Sequence, residues 1–259
     1  MFITNKNLAL SLGSGSAKGL AHIGVIKFLL ERGYNIQAVA GSSIGAIIAS
    51  YFAFNKLNVY EEFVLSLNKT KVFSLFSINF LPNKGLMDGD KICEFFMKNL
   101  GDVNIEDAHI PLYIVATDLE TGKPVVFSKG SLFKAVRASI SIPGIFSPFR
   151  INGQVLVDGG VSNPLPIDIL HKKGYKRICA IDLNGKVKET VYDKIPNIIS
   201  TLYRSFTIMN YFQTKYILSE YKPNILLSPP LDHIGMLDYH LADEIINIGY
   251  EFTSKILKY

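Results

Sequence analysis

The sequence predicts an α/β fold, a mostly parallel central sheet flanked by helices, in a single domain spanning residues 1–259. Three observations carry this reading. Short apolar runs of strand length alternate with segments of helical period, an order that calls for right-handed crossovers between parallel strands. The first two strand-to-helix joints are glycine-rich turns, Gly13–Gly19 and Gly41–Gly45. No repeat, low-complexity linker or break in composition divides the chain, and a chain of this length can bury one substantial core.

The elements follow in order. Leu8–Leu12 reads as a buried strand, and Leu20, Ile23, Val25, Ile26, Leu29 and Leu30 recur at helical spacing until Arg32-Gly33 ends the run. Ile36–Ala40 is a second strand and Ala46–Phe54 a buried helix. Lys69 to Gly85 fits neither period, although Phe73, Leu75, Phe76, Ile78, Phe80 and Leu81 crowd into it. Asp88 can cap a helix carrying Ile92, Phe95, Phe96 and Leu100. Leu112–Ala116 and Val125–Phe127 are strands joined through Thr121-Gly122, and a short helix spans Ser131–Ala138 before Pro143. Asn152-Gly153 is a strong hairpin signal, folding Phe149–Ile151 onto Gln154–Val157 and leading into Asp158-Gly159-Gly160. Pro164 opens a further helix, Ile178–Leu183 is a strand, and positions 195, 198, 202, 206, 209, 212 and 216 mark a long amphipathic helix. Ile225–Leu227 is the last strand, and Leu241, Ile245, Ile248, Phe252 and Ile256 place one apolar stripe on a closing helix.

Composition narrows the function classes. Hydrophobic residues make up 48% and charged residues 19%, which describes a folded globular chain. The net charge is +5, but the Lys and Arg are scattered and form no nucleic-acid arm; a diffuse positive surface suits anionic headgroups. Cys93 and Cys179 lie far apart in apolar surroundings, without metal-ligand spacing, and read as buried free thiols. No metal and no cofactor is expected. The N-terminus lacks a basic segment followed by an apolar stretch and cleavage site, and no run reaches the roughly 18 apolar residues of a spanning helix. A cytoplasmic protein that touches membranes from outside is the expectation.

Gly41-Ser42-Ser43-Ile44-Gly45 is a G-x-S-x-G pattern between a strand and a helix, the setting in which it makes a nucleophile elbow. Gly41 and Gly45 let strand and helix close on the turn, and Ser43 falls at a helix N-terminus, where free N–H groups favour developing negative charge. The loop Gly13, Gly15, Gly19 offers a row of backbone donors at the same sheet edge, with Lys18 to add positive charge or pin it. A nucleotide cradle is the competing reading of that loop. It would want an acidic residue at the end of the second strand, where the sequence has Ala-Gly-Ser-Ser, and Lys18 stands wrongly for a Walker loop. Asp158 ends a strand and precedes two glycines; alone it is a turn former, but with the elbow and donor loop it becomes a candidate partner for Ser43.

Jointly, LGSGSAKGLAHIGV at 12–25, GSSIGA at 41–46, and ASISIPGIFSPF, DGG and NPLP between 138 and 166 resemble the patatin-like phospholipase family, especially its short bacterial members. The resemblance covers the first two-thirds of the chain well. It implies a three-layer α/β/α fold, Ser43 as nucleophile with Asp158 as its sole partner, and an oxyanion hole at the N–H groups of Gly15 and Ser16 beside Lys18. Ser14 and Ser16 stand where the family commonly has glycine. It further implies a phospholipid or other lipid ester as substrate, cleaved in the manner of a phospholipase A or lysophospholipase. Two other readings stay open at this point. A Ser-Asp-His triad could draw on His171, His233 or His240, all after Asp158, and a non-catalytic lipid-binding protein could keep the fold. His22 is expected to pack or hydrogen bond behind the donor loop. The stretch Lys69–Gly85 is either core under a loop or an apolar flap at a lipid surface, flanked by Lys69, Lys71 and Lys84. The oligomeric state is not legible.

Overall fold

The computed structural model describes residues 6–75, 94, 98–185, 187 and 195–257. Its strands are β1 (Asn7–Leu12), β2 (Asn35–Ser42), β3 (Leu112–Asp118), β4 (Pro124–Phe127), β5 (Phe149–Ile151), β6 (Gln154–Asp158), β7 (Ile178–Ile181) and β8 (Ile225–Leu227). The helices discussed below are α1 (Ala21–Glu31), α2 (Ile44–Ala53), α3 (Leu57–Leu65), α4 (Lys69–Leu75), α5 (Leu132–Ser139), α6 (Ile167–Lys172), α7 (Ile198–Glu220) and α8 (Ala242–Ile256).

The strands form one sheet in the order β5-β6-β3-β2-β1-β7-β8, with β4 also on β3. β3, β2, β1, β7 and β8 are parallel, as the alternating pattern requires. β4 and β6 each pair antiparallel with β3, and β5 pairs antiparallel with β6, so the mostly parallel sheet is mixed at that edge. Asn152 and Gly153 take the left-handed conformation, φ 49 and 87, that a tight hairpin demands, and the hairpin folds β6 onto β5 while the other edge of β6 lies on β3.

Alternation along β1 sorts the two faces. Leu8, Leu10 and Leu12 enter the larger apolar layer with Ile23 of α1, Ile48 of α2 and Ile245 of α8. Ala9 turns to the other face, against Ile167 and Leu170 of α6, with Ile217 and Leu218 of α7 packed around them. Helices therefore cover both faces and give three layers. The short side chains Ala9, Ala38 and Ala40 let the second helical layer sit close, which brings α6 and α7 over the carboxyl ends of β1 and β2.

Several boundaries differ from expectation. α3 was not foreseen: its polar residues Asn58, Glu61 and Glu62 dilute the pattern, and only Tyr60 and Val64 of it are fully buried. α6 begins at Ile167 and not at Pro164, because the residue before a proline is pushed away from helical geometry and Pro166 follows Pro164 by two. β7 stops at Ile181, where the chain turns into Asp182–Asn184. Within Lys69–Gly85, Lys69–Leu75 is helical, with Val72 buried and Phe73 exposed; residues 76–85 lie outside the described residues. Most of the helix expected after Asp88, and Cys93, lie outside them too, although Leu100 is buried as expected. Cys179 is a buried free thiol, its pKa pushed up to about 12 by burial. No helix among the described residues is long and apolar enough to cross a membrane.

Candidate active site

β1 and β2 run in register with Leu12 beside Gly41, so the loops that follow them leave the sheet at one edge. The β2–α2 turn is very tight. A β-carbon on Gly41 would lie 2.3 Å from the Gly45 carbonyl oxygen, and one on Gly45 would lie 2.2 Å from that of Leu12. Only glycine fits at either position. Between them Ser43 adopts φ 57 and ψ −125, a conformation that a non-glycine residue holds at a cost of about 1–3 kcal/mol. Its carbonyl accepts the first bond of α2 from Ala46 at 2.8 Å, and its N–H donates to Ser139 Oγ at 3.0 Å. Ser139, at the end of α5, thus holds the strained turn from across the site.

The hydroxyl so presented donates to Asp158 Oδ2 at 2.6 Å. Asp158 is fully buried at the end of β6, its other oxygen accepting from Gly160 N–H at 2.7 Å. Its backbone is fixed at both ends. Its N–H donates to Ser141 O at 2.9 Å, and its carbonyl accepts from Thr117 Oγ1 at 2.8 Å, with Ser162 donating in turn to Thr117. Gly159 lets this turn slide under β3 and β2, since a β-carbon there would meet Val115 O at 2.2 Å and Ser42 Oγ at 2.5 Å. Burial pushes the Asp158 carboxyl up from its ordinary 3.8 to about 7, partly offset by the bonds from Ser43 and Gly160.

The loop after β1 is pinned at nearly every residue. Gly13 N–H donates to Ile181 O and Ser14 N–H to Pro164 O, while the Ser14 carbonyl accepts from Asn184 Nδ2. Ser14 Oγ meets Asn210 Nδ2 of α7 at 3.2 Å, and Ala17 N–H donates to Met236 O. Among the described residues, the N–H groups of Gly15 and Ser16 meet no acceptor. Ser16 has φ 51, and Tyr203 of α7 lies against its side chain. Gly19 packs directly under Ile44 at the start of α2, leaving no room for a side chain. The positive charge of Lys18 acts on buried Asp182, whose carboxyl is raised by burial and drawn back by the Asn184 and Gly185 N–H groups and by Lys18.

The histidines stand elsewhere. His22 is buried and donates from Nε2 to Gly13 O at 2.9 Å, and burial pulls its pKa down to about 4, so it is a neutral prop beneath the loop. His233 pairs with Glu244 at the surface, and His171 lies against the Tyr221 ring. Neither Ser43 nor Asp158 bonds a histidine among the described residues. Sequence reasoning missed Ser139, Ser141, Thr117 and Asn210. Ser139 and Ser141 lie within the ASISIPGIFSPF stretch with nothing in the sequence to single them out, and Asn210 lies on a helix whose sequence signal is its apolar stripe.

A family model described as patatin-like phospholipase matches residues 10–171, which hold both Ser43 and Asp158 and end before α7. The chain belongs to the patatin-like phospholipase family. It is 38% identical, over 75% of its length, to an uncharacterized NTE family protein of Mycobacterium bovis, of which it spans 54%. It is 27% identical, over 99% of its length, to lysophospholipase nte1 of Aspergillus fumigatus, of which it spans only 18%. The chain therefore spans about half the length of one relative and under a fifth of the other. In fold it is similar to VipD from Legionella pneumophila, with a TM-score of 0.55 at 15% identity, covering 98% of this chain and 67% of that one.

Proposed function

We propose that this chain is a serine acyl hydrolase of lipid esters, of phospholipase A or lysophospholipase type, working through a Ser43–Asp158 dyad. The observation that carries the reading is the 2.6 Å bond from the strained Ser43 hydroxyl to a fully buried carboxylate. A carboxylate with a pKa near 4 is a poor base toward a serine hydroxyl, and the upward shift of Asp158 to about 7 makes it a better one while leaving it largely ionised above that pH. As Ser43 Oγ attacks the ester carbonyl, Asp158 takes its proton. The tetrahedral oxyanion is held by the free N–H groups of Gly15 and Ser16, and losing one such donor typically costs about 2.7–4 kcal/mol of barrier. Asp158 then gives the proton to the departing alcohol as the C–O bond breaks, leaving acyl-Ser43. A water, deprotonated by Asp158, releases the fatty acid, and the proton returns to Ser43.

The belonging to a phospholipase family and the name of the fungal relative support a lipid ester as substrate. The exposed Phe73 of α4 supports a share for the 69–85 stretch in peripheral contact with lipid. A fluorophosphonate probe is expected to label Ser43 and nothing else, with labelling and kcat/KM for a short soluble ester rising as pH passes through about 7, because the ionised form of Asp158 is the base. A chain that binds lipid vesicles but takes no label would instead be a non-catalytic lipid binder. Alanine at His171, His233 or His240 is expected to leave activity within about twofold, since none of the three bonds Ser43 or Asp158 among the described residues. A collapse at one of them in a folded variant would restore the triad.

A further inference from the structure

Helix α7 is built inside out. Its 23 residues present polar groups inward: Asn210 and Thr214 are buried, Asn210 bonds Ser14 Oγ, and Gln213 Nε2 donates to Val161 O at 2.8 Å. The inner edge also carries Phe206, whose ring lies 3.1 Å from where a β-carbon on Gly160 would stand. One helix therefore bridges the two loops that carry the site, the Gly13–Gly19 loop and the Asp158–Val161 turn. Its outer face is apolar. Ile198, Leu202, Met209, Phe212 and Tyr216 are between 45% and 73% exposed, at the spacing of one helical stripe. Exposed singly, such residues need no explanation; aligned on one face they mark an interaction surface.

We propose that the outer face of α7 is a docking surface for an anionic lipid bilayer, an inference that rests on the lipid-ester reading above for its choice of partner. Charge favours this occupant. From Ile195 to Ser219 the only charged residues are Arg204 and Lys215, with no acid until Glu220. They stand about three turns apart on one flank of the stripe, Arg204 half-buried and Lys215 exposed, so that Lys215 can reach headgroups while the stripe enters the acyl boundary. Docking through α7 would press the bilayer against the helix whose underside roofs the dyad.

The chain contains no tryptophan, so Phe212→Trp places a single reporter on the stripe, and Leu30→Trp places one at an exposed position of the largely buried α1, in the opposite helical layer. With vesicles of phosphatidylcholine and phosphatidylglycerol, emission of the first is expected to shift to the blue and to be quenched by brominated lipid; the second should not respond. In the otherwise natural chain, Met209→Gln with Phe212→Gln should weaken vesicle binding by about tenfold or more, as two apolar side chains no longer leave water. Hydrolysis of a short soluble ester should stay within about twofold, and Lys215→Gln should weaken binding only when the anionic lipid is present. A silent Phe212→Trp reporter, or unchanged binding by the double variant, overturns the proposal. So does a natural chain that is a dimer which the double variant splits. Vesicle binding without hydrolysis of any ester would overturn the hydrolase reading and leave the docking face standing.

Discussion

Ser43→Ala and Asp158→Asn are each expected to lower kcat/KM for ester hydrolysis by about 10³-fold or more, with the double variant scarcely worse than either. The non-additivity follows from the geometry. One proton sits between Ser43 Oγ and Asp158 Oδ2, and removing either partner removes the whole transfer. What survives is binding and the N–H groups of Gly15 and Ser16, which neither change touches. Asp158→Asn is the sharper test. Its Oδ1 still accepts from Gly160 N–H, and its amide can donate to Ser43 Oγ, so the turn keeps its bonds with one direction reversed. The base alone is lost. A folded Asp158→Asn protein retaining a tenth of natural turnover would sink the dyad, because an amide cannot take the serine proton.

The parts of this site legible from the sequence are those whose constraint is local. Gly41 and Gly45 announce the elbow because four residues must pack strand end against helix start, with a carbonyl where each β-carbon would be. The Gly13–Gly19 loop announces itself in the same way. Asp158 is different: 115 residues separate it from Ser43, and an aspartate before two glycines is an ordinary turn signal. It becomes a candidate only in company with the elbow and the donor loop, and the family resemblance then implies its role. Ser139 and Asn210 act across 96 and 196 residues of chain, and nothing in their own neighbourhoods marks them. The hairpin at Asn152-Gly153 was legible as the pairing of β5 with β6, but the antiparallel joining of β6 to β3 was not, because turn chemistry does not set the direction in which the pair meets the rest of the sheet. α7 teaches the opposite lesson. Its period was plain, but periodicity gives a face and not its orientation, and here the polar face turns inward because two loops with unsatisfied groups lie beneath it.

Asp158→Asn is also expected to make the protein more stable in alkaline solution while destroying its activity. The folded carboxyl titrates at about 7 against an ordinary 3.8. Between those values the native state keeps a proton that the unfolded chain has released, so stability from this group is full below about pH 4 and is lost as pH rises through about 7. With both states ionised above that, the native state carries a buried charge. The shift corresponds to an upper bound of about 4 kcal/mol. Asparagine removes that charge and keeps the bonds to Gly160 and Ser43. Denaturant unfolding at about pH 8.5 should therefore show the variant about 2–4 kcal/mol more stable, a rise of roughly 5–10 °C in Tm for a chain of this size. At about pH 4 the two proteins should unfold nearly together. A variant less stable than the natural chain at both pH values would mean that the ionised Asp158 holds the fold together, and the case for a carboxylate made basic by burial would fall with it.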